Sequence, residues 1–114
     1  MDSMKERIEE VNTLIERLKA NHPSEINAFL SFMGKTENGP ALTKAQKELI
    51  NIALSVAAQC EWCIAVHVKS AIAAGATRDE IMEAGFLTVL MHGGPALMHL
   101  TYLTRALDEF IPEK

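Results

Sequence analysis

Both cysteines of the chain fall in the stretch Cys60-Glu61-Trp62-Cys63-Ile64-Ala65-Val66-His67, with a histidine one helical turn beyond the second. A free thiol is a poor nucleophile near neutral pH, with a pKa of about 8.5, and an adjacent imidazole or a helix N-terminus makes the reactive thiolate more available. On a helix through this segment each residue advances about 100°, which brings Cys60, Cys63 and His67 to one face within about 60°. The Cα atoms of residues i and i+3 lie about 5 Å apart on such a helix, inside the range a disulfide allows. This spacing supports thiol redox chemistry with a base at hand. The residues divide on which sulfur attacks: Cys60 gains more from the helix dipole, whereas Cys63 can touch His67 directly.

A third candidate, Glu48, lies earlier in the chain. If one helix ran from Glu48 through Cys60, the two would be about 18 Å apart and Glu48 could not help. A chain reversal near Gln59 instead returns Glu48 alongside the first turns of the cysteine helix, with His67 its nearest titratable neighbour. A carboxylate on one imidazole nitrogen fixes the tautomer so that the other nitrogen faces the thiol. Taken alone, a helical glutamate is more often a solvated charge.

The elements that must hold these residues read as helices throughout. Ile8, Val11, Leu14, Ile15 and Leu18 recur at three-and-four spacing and predict a first helix ending near Asn21. Pro23 suits the first turn of a second helix with an apolar face of Ile26, Phe29, Leu30 and Met33, and Gly34 to Pro40 reads as a loop. Thr43 with Gln46 forms a capping box that opens a third helix through about Ala58. The cysteine helix is predicted from about Glu61 to Ala74, stopping at Gly75, a residue suited to a left-handed C-terminal cap. A second capping box, Thr77 with Glu80, starts a helix carrying Ile81, Ala84, Leu87 and Leu90. After Gly93-Gly94-Pro95 a last helix carries Leu97, Leu100, Leu103 and Leu107.

Composition narrows the function classes. A length of 114 residues predicts a single domain, 1–114, with a core that needs no disulfide or metal staple. Eleven basic against 15 acidic side chains give a net charge of -4 without a basic stripe, which argues against nucleic acid as a partner. The start Met1-Asp2-Ser3-Met4-Lys5-Glu6-Arg7 alternates charge and lacks the apolar region of a secretory signal, so a reducing, cytoplasmic location is expected. Ala84 to Leu103 is almost wholly apolar, but His92, Gly93, Gly94 and Pro95 break it in the middle, and no membrane span is expected. These apolar helices instead predict burial in the core or against other subunits, hence an oligomer.

Glu48, eleven residues, Cys60, two residues, Cys63, three residues, His67 is similar to the signature of the alkylhydroperoxidase D-like group of the carboxymuconolactone decarboxylase family, matching at all four positions. The resemblance runs from about Thr43 through the Gly93-Gly94-Pro95 break. It implies an all-α fold, here of about six helices with an antiparallel hairpin carrying the Cys-x-x-Cys site. It also implies assembly into a homotrimer or homohexamer and thiol-dependent peroxidase or disulfide reductase activity. By the same resemblance Cys63 is the peroxidatic cysteine, Cys60 resolves it, and Glu48 with His67 forms a proton relay. The substrate would be a hydroperoxide or a disulfide and the electron donor a lipoylated or thioredoxin-like protein, with no bound cofactor or metal.

One departure stands out. The peroxidase members carry a further relay histidine immediately before the second cysteine, where this chain has Trp62, and an indole cannot shuttle a proton. Dithiol exchange does not need that group, so the disulfide reductase reaction is the firmer expectation. Trp62 is open to three readings: a shield for the site, a contact for an apolar substrate, or a core or interface aromatic. His92 is the outside candidate for the missing histidine, while His22 reads as an interhelix turn and His99 as a core or interface residue. Rival readings are a zinc site at Cys60, Cys63 and His67, which lacks a fourth ligand at suitable spacing, and a purely structural helical oligomer. A non-redox, decarboxylase-type enzyme would need a substrate pocket that the sequence does not display.

Overall fold

The computed structural model describes residues 3–111; Met1 and Asp2, which begin the charged N-terminal run, and the last residues of the 1–114 span lie outside them. Six helices make up the fold, and there is no strand among the described residues: α1 (Met4–Asn21), α2 (Pro23–Glu37), α3 (Lys44–Ala57), α4 (Glu61–Ala73), α5 (Arg78–His92) and α6 (Gly94–Phe110). The all-α expectation holds. No helix is long and apolar enough to cross a membrane.

Helix starts follow the local chemistry. Both capping boxes form, each threonine accepting the N–H three residues on while Gln46 or Glu80 accepts the threonine's own N–H. Satisfying those otherwise unpaired donors contributes about 1 kcal/mol per cap. Helix α1 is fixed by a contact distant in sequence: the backbone N–H groups of Met4 and Lys5 donate to the Glu109 carboxylate, at 2.8 and 3.2 Å. That contact seats Met4 at the edge of the core.

Helices α3, α4, α6 and α5 form a closed four-helix arrangement in which each packs against two neighbours, and α1 lies across α4 and α6. The core between them holds Ile52, Val56, Ile64, Val68, Ile81, Leu103 and Leu107, all without accessible surface. Each such side chain contributes about 1.5–3 kcal/mol through removal from water. Helices α5 and α6 meet closely at Gly85, where a Cβ would lie 2.6 Å from Leu103 Cδ2. A larger residue there would oblige the leucine tips of α6 to shift.

Helix α2 departs from the sequence reading. It runs through Gly34 to Glu37, so the expected loop over Gly34 to Pro40 shrinks to a connection that begins at Asn38. The reason lies at its C-terminal carbonyls: the Lys47 ammonium from α3 donates to the carbonyls of Glu37 and Gly39, and the Asn38 amide donates to Gly34 O. A cation at the negative end of the helix dipole also favours the extra turn. The expected apolar face of α2 is present but incompletely covered: Ile26, Leu30 and Met33 are half-buried and Phe29 is exposed. The helix buries no residue and packs chiefly against α1.

Candidate active site

The site is built on the α3–α4 hairpin. Helix α3 ends in a turn in which Cys60 N–H donates to Ser55 O at 3.1 Å and Gln59 N–H donates to Val56 O at 3.0 Å. This is the six-to-one and five-to-two pairing of a Schellman cap, which requires a left-handed residue at its centre. Gln59 takes that place with φ 57°, the sole non-glycine at positive φ among the described residues. The chain therefore reverses where the hairpin reading required. No glycine marks the spot.

Cys60 follows immediately, as the residue that caps α4 rather than as part of it. Its φ of -108° and ψ of 102° are extended, so the strict 100° spacing applies from Glu61 onward and not to Cys60 itself. Its Sγ accepts the Cys63 N–H at 3.1 Å. The Cα atoms are 5.2 Å apart and the two sulfurs are joined as a disulfide. Both cysteines are half-buried at the N-terminal end of α4, the end where backbone N–H groups favour an anion.

One turn below Cys63, His67 Nδ1 lies 2.9 Å from Glu48 Oε2. Glu48 is 4% exposed and His67 partly so. A carboxylate only accepts, so an ionised Glu48 requires the proton on Nδ1 and leaves Nε2 with the lone pair. A buried charge needs such a partner, and no buried side-chain nitrogen or oxygen among the described residues lacks one. The four residues singled out by spacing thus lie together on one hairpin.

Trp62 is neither core nor shielded: it is 43% exposed on the first turn of α4. The Arg7 guanidinium stands 5.5 Å from its ring centroid while Arg7 Nε bonds Glu61 at 3.4 Å and Nη1 bonds Glu10 at 2.6 Å. Arg7 thereby ties α1 to the start of α4, beside the cysteines. Sequence spacing gave no sign of this, because residues 54 apart meet only through packing of α1. His92 is exposed at the end of α5, and His99 Nδ1 pairs with Pro95 O in the first turn of α6; neither joins the hairpin. His22 does sit at the α1–α2 joint. No group of three or more His, Cys, Asp or Glu side chains among the described residues is placed to hold a metal ion.

A cavity of about 420 Å³ lies between α2 and α3 and reaches His67. The sequence gave no hint of it. One of its walls is α2, whose position no local pattern encodes.

The profile of the carboxymuconolactone decarboxylase family matches residues 24–106. That match takes in nearly all of α2, so the likeness starts well before Thr43 and the second helix is part of it. A protein of Cupriavidus necator described as uncharacterized is 33% identical over 107 residues, covering 94% of this chain and 92% of its own. Uncharacterized protein 4 of the cox locus of Paracoccus denitrificans is 40% identical over 83 residues, 73% of this chain and 75% of its own. The crystal structure of an apo carboxymuconolactone decarboxylase family protein from Legionella pneumophila superposes with a TM-score of 0.91 at 32% identity, covering 96% of this chain and 97% of that one. Profile, sequence and fold agree over most of the chain, and the protein belongs to the carboxymuconolactone decarboxylase family.

Proposed function

We propose that this protein is an alkylhydroperoxidase D-like thiol oxidoreductase, acting as one domain, that cycles Cys60 and Cys63 between dithiol and disulfide. The observation that carries the reading is the 2.9 Å pairing of His67 with buried Glu48, one helical turn from Cys63. Cys63 is the attacking thiolate. With a hydroperoxide, its sulfur bonds the terminal oxygen, the O–O bond breaks, and the alkoxide takes a proton from His67, leaving a Cys63 sulfenic acid. Cys60 then displaces water to close the disulfide. With a disulfide substrate, Cys63 displaces one thiolate and Cys60 resolves the mixed disulfide. A dithiol donor, lipoylated or thioredoxin-like, restores both thiols.

Glu48 holds the imidazole so that Nε2 takes the proton from Cys63. Trp62 contributes no proton, so disulfide exchange outpaces peroxide turnover. The apolar side chains Phe86, Leu87, Leu90, Met91 and Met98, exposed around the junction of α5 and α6, support assembly into a trimer or hexamer. Light scattering at micromolar concentration checks that, and a monomer removes it.

Two measurements test the redox reading. Mass spectrometry of the reduced protein after mild peroxide should give a loss of two hydrogens that a dithiol reverses; thiols that stay free, or pass to sulfinic acid unpaired, end it. A paired assay should give measurable reduction of a model disulfide and weak peroxide consumption, the latter rising in Trp62→His. Inactivity in both with tight zinc retention would favour a metal site instead.

A further inference from the structure

Helix α2 holds its aromatic residues away from the core, with Phe29 57% and Phe32 62% exposed. They are not simply surface residues. Together with Met33 of the same helix, Leu42 of the connection and Ile50 of α3, they enclose the cavity of about 420 Å³ that reaches His67. Small-molecule sites span about 300–1,000 Å³ and combine apolar walls with a few convergent polar groups. Here the polar groups include Asn51 and the His67 imidazole, whose other face is bonded to Glu48. The one lysine in the wall, Lys47, donates to the carbonyls of Glu37 and Gly39, which ties the end of α2 to α3.

We infer that this cavity binds the apolar substituent of the substrate whose reactive bond meets Cys63; the inference rests on the thiol oxidoreductase reading. The reactive bond is O–O in a hydroperoxide or S–S in a disulfide. In either case Cys63 sits one helical turn from His67, about 5–6 Å between Cβ atoms. Neither cysteine lines the cavity, so the substituent of a bond held at Cys63 must extend past His67 to occupy it. Hydrogen peroxide has no such substituent and gains nothing from these walls. For a hydroperoxide ROOH the balance is ROOH plus two thiols giving ROH, water and the Cys60–Cys63 disulfide. For a disulfide RSSR it is RSSR plus two thiols giving two RSH and the same disulfide.

A small molecule fits better here than a second copy of the chain. The cavity ends on an imidazole paired with a buried carboxylate, and a separate group of exposed apolar residues lies around the α5–α6 junction for subunit contact.

The test uses the reduced full chain and stopped-flow measurement of Cys63 oxidation, each rate normalised to that of free dithiothreitol. Cumene hydroperoxide is compared with hydrogen peroxide, and dithiodipyridine with hydroxyethyl disulfide. The apolar member of at least one pair should be preferred about tenfold or more, and the pair that shows it names the substrate class. Phe32→Ala, a truncation at an exposed site, should lower that ratio about tenfold, and Met33→Trp, which fills the cavity, should lower it as well. Leu14→Ala, on α1 outside the cavity, should leave it unchanged.

Cumyl alcohol, an inert analogue, should shift the methyl resonances of Met33 and Ile50. Those shifts without oxidation of Cys63 by any reagent would keep the cavity and end the redox reading. Oxidation with ratios untouched by Phe32→Ala and Met33→Trp, and no shifts, would end the cavity and keep the redox reading. A change of oligomeric mass in Phe32→Ala would assign the cavity to a second copy and overturn the inference.

Discussion

Two helical hairpins stand side by side in the same chain and are built on opposite terms. Between α3 and α4 the reversal at Gln59 is closed by backbone hydrogen bonds, and both helices bury residues along their length. Between α1 and α2 a single residue, His22, ends one helix and begins the next without a side-chain cap, and α2 buries nothing. Groups that must meet within hydrogen-bond distance sit on the first hairpin. The second supplies a wall. Chemistry requires positions fixed to fractions of an ångström, which dense packing provides, whereas a wall that adapts to different substituents gains from its absence.

The sharpest break in this comparison is Cys63→Ser, which should abolish turnover and the sulfenic acid, while Cys60→Ser should leave a Cys63 sulfenate that accumulates. Mass spectrometry with a sulfenate-trapping reagent reads both, and the opposite pattern would exchange the roles of the two sulfurs. Serine is a preferred N-cap, so α4 should still start at the same place in Cys60→Ser. Next in size, His67→Ala should slow Cys63 oxidation about 10²-fold or more and Glu48→Gln by less, because glutamine holds the ring but not its charge. Wild-type rates in both would make the pair scaffold.

Stability gives a third contrast. Ile64→Ala in α4 should cost about 2–5 kcal/mol in denaturant unfolding, through lost burial and the cavity left behind. Phe29→Ala in α2 should stay within about 0.5 kcal/mol. Comparable losses at the two positions would erase the distinction between the hairpins. The smallest expected effect is Gln59→Gly, which should stabilise by up to about 1 kcal/mol by relieving a left-handed conformation that side chains disfavour.

Gln59 also marks how far the sequence could be read. The second Schellman turn, after α4, uses Gly75 at φ 94°, and there the sequence announced the stop. At Gln59 nothing local did, and the reversal followed only from asking what would bring Glu48 to His67. The two threonine capping boxes were readable because donor and acceptor lie three residues apart. The end of α2 was misread because Gly34 and Asn38 suggest a stop, while the lysine that continues the helix comes from α3. Arg7 beside Trp62, and the cavity against His67, depend on where α1 and α2 pack. No periodicity carries that information. The exposed leucines of α5 and α6 show the same limit, since apolar spacing is alike for a core and for a subunit contact.

Because Cys60 caps α4 through its sulfur, the amide of Cys63 is tied to the chemical state of that sulfur. In the disulfide that sulfur is neutral and already accepts the N–H at 3.1 Å, and a thiolate in its place would be a stronger acceptor. Deuterium exchange at that single amide should therefore differ between the disulfide and the reduced chain, while amides deeper in α4 exchange alike in both.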